Sequence, residues 1–245
     1  MTLTKSHDRI IPTKASVFLI INNIKEVEAL KHEKIKVAEK RKNEICEAAK
    51  RCFLAKGFSK TGMEDVIKEV GMSKGGVYHH YASTNEMLKD LMLDGNEYRN
   101  SLITEYLAHN RSKDKYQQMG DILVDKSLAD TDLMRLYTLL LQAKKYNEDL
   151  EKLYQELKLN TTNELSLIAK QLGIKADIFS DGFLVNYING LIVSSEVLGA
   201  RKSYSKHKKY IKEIFRLDAR KSYGEHKRYI KETMINYIVD VEKKN

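Results

Sequence analysis

The sequence predicts an all-α protein, and three observations carry that prediction. Its 245 residues include one proline, twelve glycines and 42% hydrophobic residues, a balance that suits a helical core better than a β-rich or disordered chain. Apolar residues recur at three- and four-residue spacing along most of the length. The run Gly71-Met72-Ser73-Lys74-Gly75-Gly76-Val77-Tyr78-His79-His80-Tyr81 is punctuated like two short helices joined by a tight turn, a helix-turn-helix. The length allows one large domain or two small ones.

Residues 1–38 read as an extension, either disordered or a helical arm. Pro12 and Thr13 suggest a break, and from Ala15 a helix can run through Lys31 and Lys34. Two readings stay open: a basic arm that adds phosphate or minor-groove contacts, and a frayed or untranslated lead-in. Lys31 to Lys60 holds ten Lys/Arg against four Asp/Glu. Ile45, Ala48, Ala49, Cys52 and Phe53 form the apolar stripe of the next helix, which Gly57 ends. Lys40, Arg41 and Lys42 fall at its N-terminal end, against the dipole's preference for acids there; a nearby phosphate backbone would relieve the conflict.

Thr61 to Val70 reads as a short helix, with Met63, Val66, Ile67 and Val70 at helical spacing. Gly71 supplies the left-handed residue that stops it, and Ser73 N-caps a second helix from Lys74 to about Tyr81. Two adjacent glycines cost roughly 1 kcal/mol each relative to alanine, so Gly75 and Gly76 need a reason: a bare backbone comes close to a base edge or phosphate. Lys74 sits beside the anion-attracting N-terminus. Tyr78, His79 and His80 can donate to phosphate oxygens.

Asn85 to about His109 is a long helix with Leu88, Leu91, Met92, Tyr98, Leu102, Ile103 and Leu107 on its apolar face. Three or so helices follow between Lys113 and Gly173, with breaks near Ala129-Asp130 and Asn147. Phe179 to Leu198 is a strongly apolar helix in which Gly190, Ser194 and Ser195 allow close helix contact. Residues 200–213 then recur as 219–232. The 19-residue offset rotates the second copy by about 100° on one continuous helix, and Ser222 with Glu225 makes a capping box. Two helices are therefore expected, about Ser203 to Leu217 and Ser222 to Val241.

Ile45, Ala48, Ala49, Phe53, Gly57 and Phe58, then Thr61, Asp65, the Gly71-to-Tyr81 run and Glu86-Met87-Leu88, resemble the TetR family of bacterial repressors in order, spacing and residue type. The likeness covers about Lys42 to Leu91. Departures are Gly62 in place of Thr or Ser, Ile67 and Val70 in place of Ala, Gly76 at a variable base-reading position, and Thr84 in place of Lys. The resemblance implies a three-helix DNA-binding head at 39–86 and a larger helical ligand-binding and dimerisation domain at 87–245. It implies a homodimer, paired through the C-terminal helices, on a palindromic double-stranded operator. Lys74, Gly75 and Gly76 would face bases or nearby phosphates. Lys60, Thr61, Ser73, Tyr78, His79 and His80 would complete the DNA contacts. A small-molecule effector would bind in the body, where Tyr106, Tyr137, Gln142, Tyr187 and Asn189 are candidate linings. The second C-terminal copy is expected to be the closing helix of the dimer bundle.

Other classes fit less well. No metal-ligand spacing, phosphate loop or nucleophile elbow appears, so neither an enzyme nor a cofactor is expected. Cys46 and Cys52 lie on one helix and point apart; Cys52 reads as core. The apolar run Val17–Ile21 is too short to span a bilayer, and with no signal sequence the expected place is the cytoplasm. The net charge of +9 is weak evidence for DNA, since residues 200–235 alone hold twelve Lys/Arg and four Asp/Glu. The alternative is a helical dimeric interaction module that has lost specific DNA reading.

Overall fold

Local capping signals set the helix boundaries. The computed structural model describes residues 14–175, 179–180, 182–215 and 231–236, and among these all regular structure is helical. The head comprises α1 (Lys14–Lys56), a 3-10 turn (Phe58–Lys60), α2 (Met63–Val70) and α3 (Lys74–His80). The body holds α4 (Thr84–His109), α5 (Lys115–Leu128), α6 (Asp132–Ala143), α7 (Glu148–Gln171), α8 (Phe183–Val197), α9 (Arg201–Lys206) and α10 (Lys208–Phe215). Residues 231–236 are helical as well.

The turn chemistry is as expected. Gly71 adopts the left-handed conformation at φ 70° and its N–H donates to the Ile67 carbonyl. Ser73 Oγ accepts from the Gly76 N–H at 3.1 Å. Side chains of Ser83, Asp114, Thr131 and Asn147 cap α4 to α7 in the same way, which fixes the breaks near Ala129-Asp130 and Asn147.

Three expectations change. α1 runs unbroken past residue 38 for 43 residues, so Lys40, Arg41 and Lys42 lie mid-helix, where the backbone N–H groups are already bonded and no dipole conflict arises. Two of them are paired: Arg41 with Glu44 one turn on at 2.7 Å, and Lys42 with Asp90 of α4 at 2.6 Å. The apolar helix begins at Phe183, not Phe179, because Gly182 is left-handed at φ 73°. The expected helix from Ser203 to Leu217 is two pieces, α9 and α10, divided at His207. That turn lets Ile211 and Phe215 bury beside α5 and α8. The second C-terminal helix, with its Ser222–Glu225 cap, lies outside the described residues apart from 231–236.

Two apolar clusters build the interior. Ile45, Ala48, Ala49, Phe53, Val66, Val77, Met87 and Leu88 form the head core, and Leu136, Leu140, Leu150 and Leu153 of α6 and α7 join the same cluster. Met119, Leu123, Leu165, Phe179, Leu184, Ile188 and Phe215 form the second. Leu133 and Tyr137 of α6 pack against both. Head and body thus share packing through α6, besides being joined covalently through α4.

Candidate nucleic-acid interface

Val77 is fully buried and pins α3 to the head, which turns the other faces of this short helix outward. Ser73, Lys74, Gly75, Tyr78 and His79 are exposed, while Gly76 and His80 are partly so. The two glycines have different reasons. A β-carbon at Gly75 would meet nothing within 4 Å, whereas one at Gly76 would sit 3.1 Å from Ser73 Oγ and crowd the cap. Gly75 therefore leaves bare backbone facing solvent, and Gly76 protects the helix start.

Lys74 Nζ lies 2.7 Å from Glu64 and 5.7 Å from the Tyr78 ring centre. Both partners of that ion pair are exposed, so water and salt screen it and a phosphate can displace Glu64. Lys60 is exposed at the end of the 3-10 turn. The His79 and His80 rings meet edge to face at 5.2 Å.

Thr61 does not join this surface through its side chain. It is buried, and its hydroxyl donates to the Gly57 carbonyl at 2.8 Å. The residue reads in sequence like a phosphate donor because a threonine beside a helix start has the same composition whichever way it faces.

Behind α3 lies a polar network missed in the sequence. Tyr81 Oη sits 2.8 Å from Cys46 Sγ and donates to Asp90 Oδ2 at 2.8 Å, and Asp90 pairs with Lys42. It ties α1, the end of α3 and α4 together. Burial pushes the Cys46 thiol up to about 11. Cys46 is the buried cysteine, while Cys52 is partly exposed beside α2, the reverse of the expected emphasis. The departures at Ile67 and Val70 pack against the head core.

Residues 45–91 match the model of the bacterial regulatory proteins, tetR family; the span runs from the buried stripe of α1, through the turn and α3, into α4. The head of this chain is thus similar to the DNA-binding heads of the TetR family. It is 49% identical over 57 residues to YfiR of Bacillus subtilis strain 168, a helix-turn-helix-type transcriptional regulator, covering 23% of this chain and 28% of that protein. It is 28% identical over 87 residues to the probable acrEF/envCD operon repressor of Escherichia coli K12, covering 36% and 39%. The matches thus span well under half of these relatives. Among solved structures, GusR of Salmonella enterica superposes with a TM-score of 0.54 at 18% identity over 71% of this chain and 93% of that one. NalD of Pseudomonas aeruginosa, the secondary repressor of the MexAB-OprM multidrug efflux pump, gives 0.52 at 23%, over 69% and 93%. At such identities these two share the fold alone.

The expected body linings do not converge on one cavity. Tyr137 donates to Asn189 at 3.1 Å, inside the packed interior. Tyr187 stacks near Phe183 and meets Phe215 edge to face. Gln142 is exposed on α6. Only Tyr106 lines the cavity of about 280 Å³ between α4, α5 and α6. Arg99 and Lys126 line that cavity too. A usable sequence signal exists for both, since each occupies an apolar stripe: Lys126 after Met119, Ile122 and Leu123, and Arg99 between Gly95, Leu102 and Ile103. Tyr98 and Leu102, expected on an apolar face, are exposed where they border the cavity. Among the described residues no group of three or more His, Cys, Asp or Glu could hold a metal ion, and no helix is long and apolar enough to cross a membrane.

Proposed function

We propose that the chain is a dimeric DNA-binding transcriptional regulator, released from a palindromic operator by a small-molecule effector. The observation that carries this reading is the exposed surface of α3, where Lys74, the bare backbone at Gly75, Tyr78 and His79 lie on a helix pinned by Val77 within a TetR-family head. Two such helices enter successive major grooves about one helical turn apart. Lys74 and Gly75 address bases and nearby phosphates. Lys60, Ser73, Tyr78, His79 and His80 hold the backbone and set position rather than sequence. Gly76 acts through the cap, and Thr61 through the fold. Residues 39–86 supply this head and 87–245 the effector and dimer functions, while 14–38 form the first part of α1.

The head-to-body path supports release by a ligand. A β-carbon at Gly95 would clash with the Leu133 side chain, so α4 and α6 meet tightly at the head side of the cavity. Leu136 and Leu140, on the same α6, pack in the head core. An occupant that shifts Leu133 therefore acts on the element that seats the head, and DNA must lower effector affinity by the same factor. Dimer pairing through α8 is supported by an open hollow lined by Tyr187, Gly190, Thr233 and Met234 and by exposed Val197 and Leu198.

Footprinting of DNA flanking the protein's own gene across a salt series tests the reading. A protected palindrome whose affinity falls steeply with salt is expected. Tyr78→Phe should weaken all sequences alike, by about 1 kcal/mol for one lost hydrogen bond, whereas Lys74→Ala should also change sequence preference. Absence of a footprint at low salt would move the chain to the interaction-module class.

A further inference from the structure

We propose that the cavity between α4, α5 and α6 binds a small monoanionic carboxylate with an apolar body, its carboxylate held by Arg99 and Lys126. Resting on the ligand-released reading above, this names the chemical class of the effector.

The walls argue for the apolar body. Leu102, Ile103, Ile122, Leu133 and Met134 line most of the space, and a volume of about 280 Å³ is at the small end of ligand pockets. Such a space suits a single ring or a short alkyl chain.

The charges argue for the acid. Lys126 is 6% exposed and lines the cavity, yet among the described residues its ammonium makes neither a hydrogen bond nor an ion pair. Buried ammonium groups are ordinarily paired, because an unpaired one costs several kcal/mol in lost hydration. Arg99, on the facing wall from α4, also makes no hydrogen bond or ion pair among the described residues. Two cations on two different helices thus share one apolar space. Glu164 on α7 acts electrostatically on both while accepting from Asn100 at 2.8 Å. It balances one positive charge and leaves one, which sets the ligand at a single negative charge.

The remaining polar groups at the walls are otherwise engaged or unsuited to replace the ligand. Tyr106 donates its hydroxyl to Asp121 at 2.7 Å. Asp125 points outward, 70% exposed and 3.8 Å from Lys208. Tyr98 stands exposed at the rim, and the α6 wall offers only the Thr131 hydroxyl, which caps its own helix. Burial lowers the Lys126 ammonium to about 7, so an arriving carboxylate draws a proton onto it in neutral and alkaline solution.

The test is calorimetric titration of the full chain, without DNA, with octanoate and benzoate and with their neutral amides. The acids should bind at least about tenfold more tightly than the amides. Repeating the titration in buffers of different ionisation enthalpy should show proton uptake above about pH 7. Lys126→Met, a near match in shape, should lose the acid preference and the proton uptake, and Arg99→Met the acid preference. Equal binding of acids and amides, acid binding unchanged in Lys126→Met, or no binding of either acid each overturns the assignment. Adding operator DNA afterwards separates the two readings. Acids that bind without loosening the operator leave the site standing and remove the ligand-release reading. Operator binding without acid binding does the opposite.

Discussion

Lys126 shows what one side chain does to the thermodynamics of a whole domain. Its ammonium is lowered from the ordinary 10.5 to about 7 by burial, with the Arg99 charge adding to that and Glu164 opposing it. Below about pH 7 the group is protonated in folded and unfolded chains alike, and the full burial cost, on the order of 5 kcal/mol, stands. Between about pH 7 and 10.5 only the unfolded chain keeps the proton, so this residue makes stability rise with pH. Lys126→Met should therefore be more stable than the parent in urea unfolding at neutral pH, and its advantage should shrink as pH rises through that window. An advantage independent of pH would show that the ammonium is solvated in the folded state. Cys46 carries no comparable function: with its thiol raised to about 11, it is protonated and unreactive at neutral pH.

At the scale of elements, the helix-turn-helix trades stability for access. α3 has seven residues, two of them glycine, and is held by the Ser73 cap and the buried Val77. Gly75→Ala meets no neighbouring atom, so it should raise head stability by up to about 1 kcal/mol while weakening operator binding. Gly62→Ser provides the control. Position 62 caps α2 at an ordinary φ of −103°, and Asp65 already bonds its N–H at 2.8 Å. Serine there should add a few tenths to about 1 kcal/mol with no effect on DNA. Thermal melts beside gel-shift titrations check both; equal effects on DNA would mean that the bare backbone at Gly75 is not an approach surface.

For the whole molecule, the proposed dimer would join operator reading to a second subunit. Gly190 on α8 borders an open hollow, and a β-carbon there would meet nothing within 4 Å in the single chain. Gly190→Glu should leave the monomer fold intact by circular dichroism but shift sedimentation to the monomer. It should also weaken palindrome binding by a factor of roughly 100 or more, since each half-site then binds alone. A variant that still sediments as a dimer would place the interface elsewhere.

The helical class, the turn at Gly71–Ser73, the caps and the breaks near residues 130 and 147 were legible in the chain because each depends on neighbours within four residues. Ser73 must bond an amide three residues on, and Gly71 must be left-handed, whatever the body does. The head core was legible for the same reason, since its stripe on α1 has helical period. Direction was not legible. Thr61 faces inward, Gln142 faces solvent and Tyr137 is spent on Asn189, because the side that a residue presents depends on which helix arrives opposite it. The cavity was hidden most completely. The apolar stripe around Lys126 hinted at burial, but only when α4 and α6 close over α5 does this side chain line a cavity without a hydrogen-bond or ion-pair partner among the described residues. Sequence settled the helical class and the helix-turn-helix head; tertiary packing alone decided which cations would come together in an apolar space.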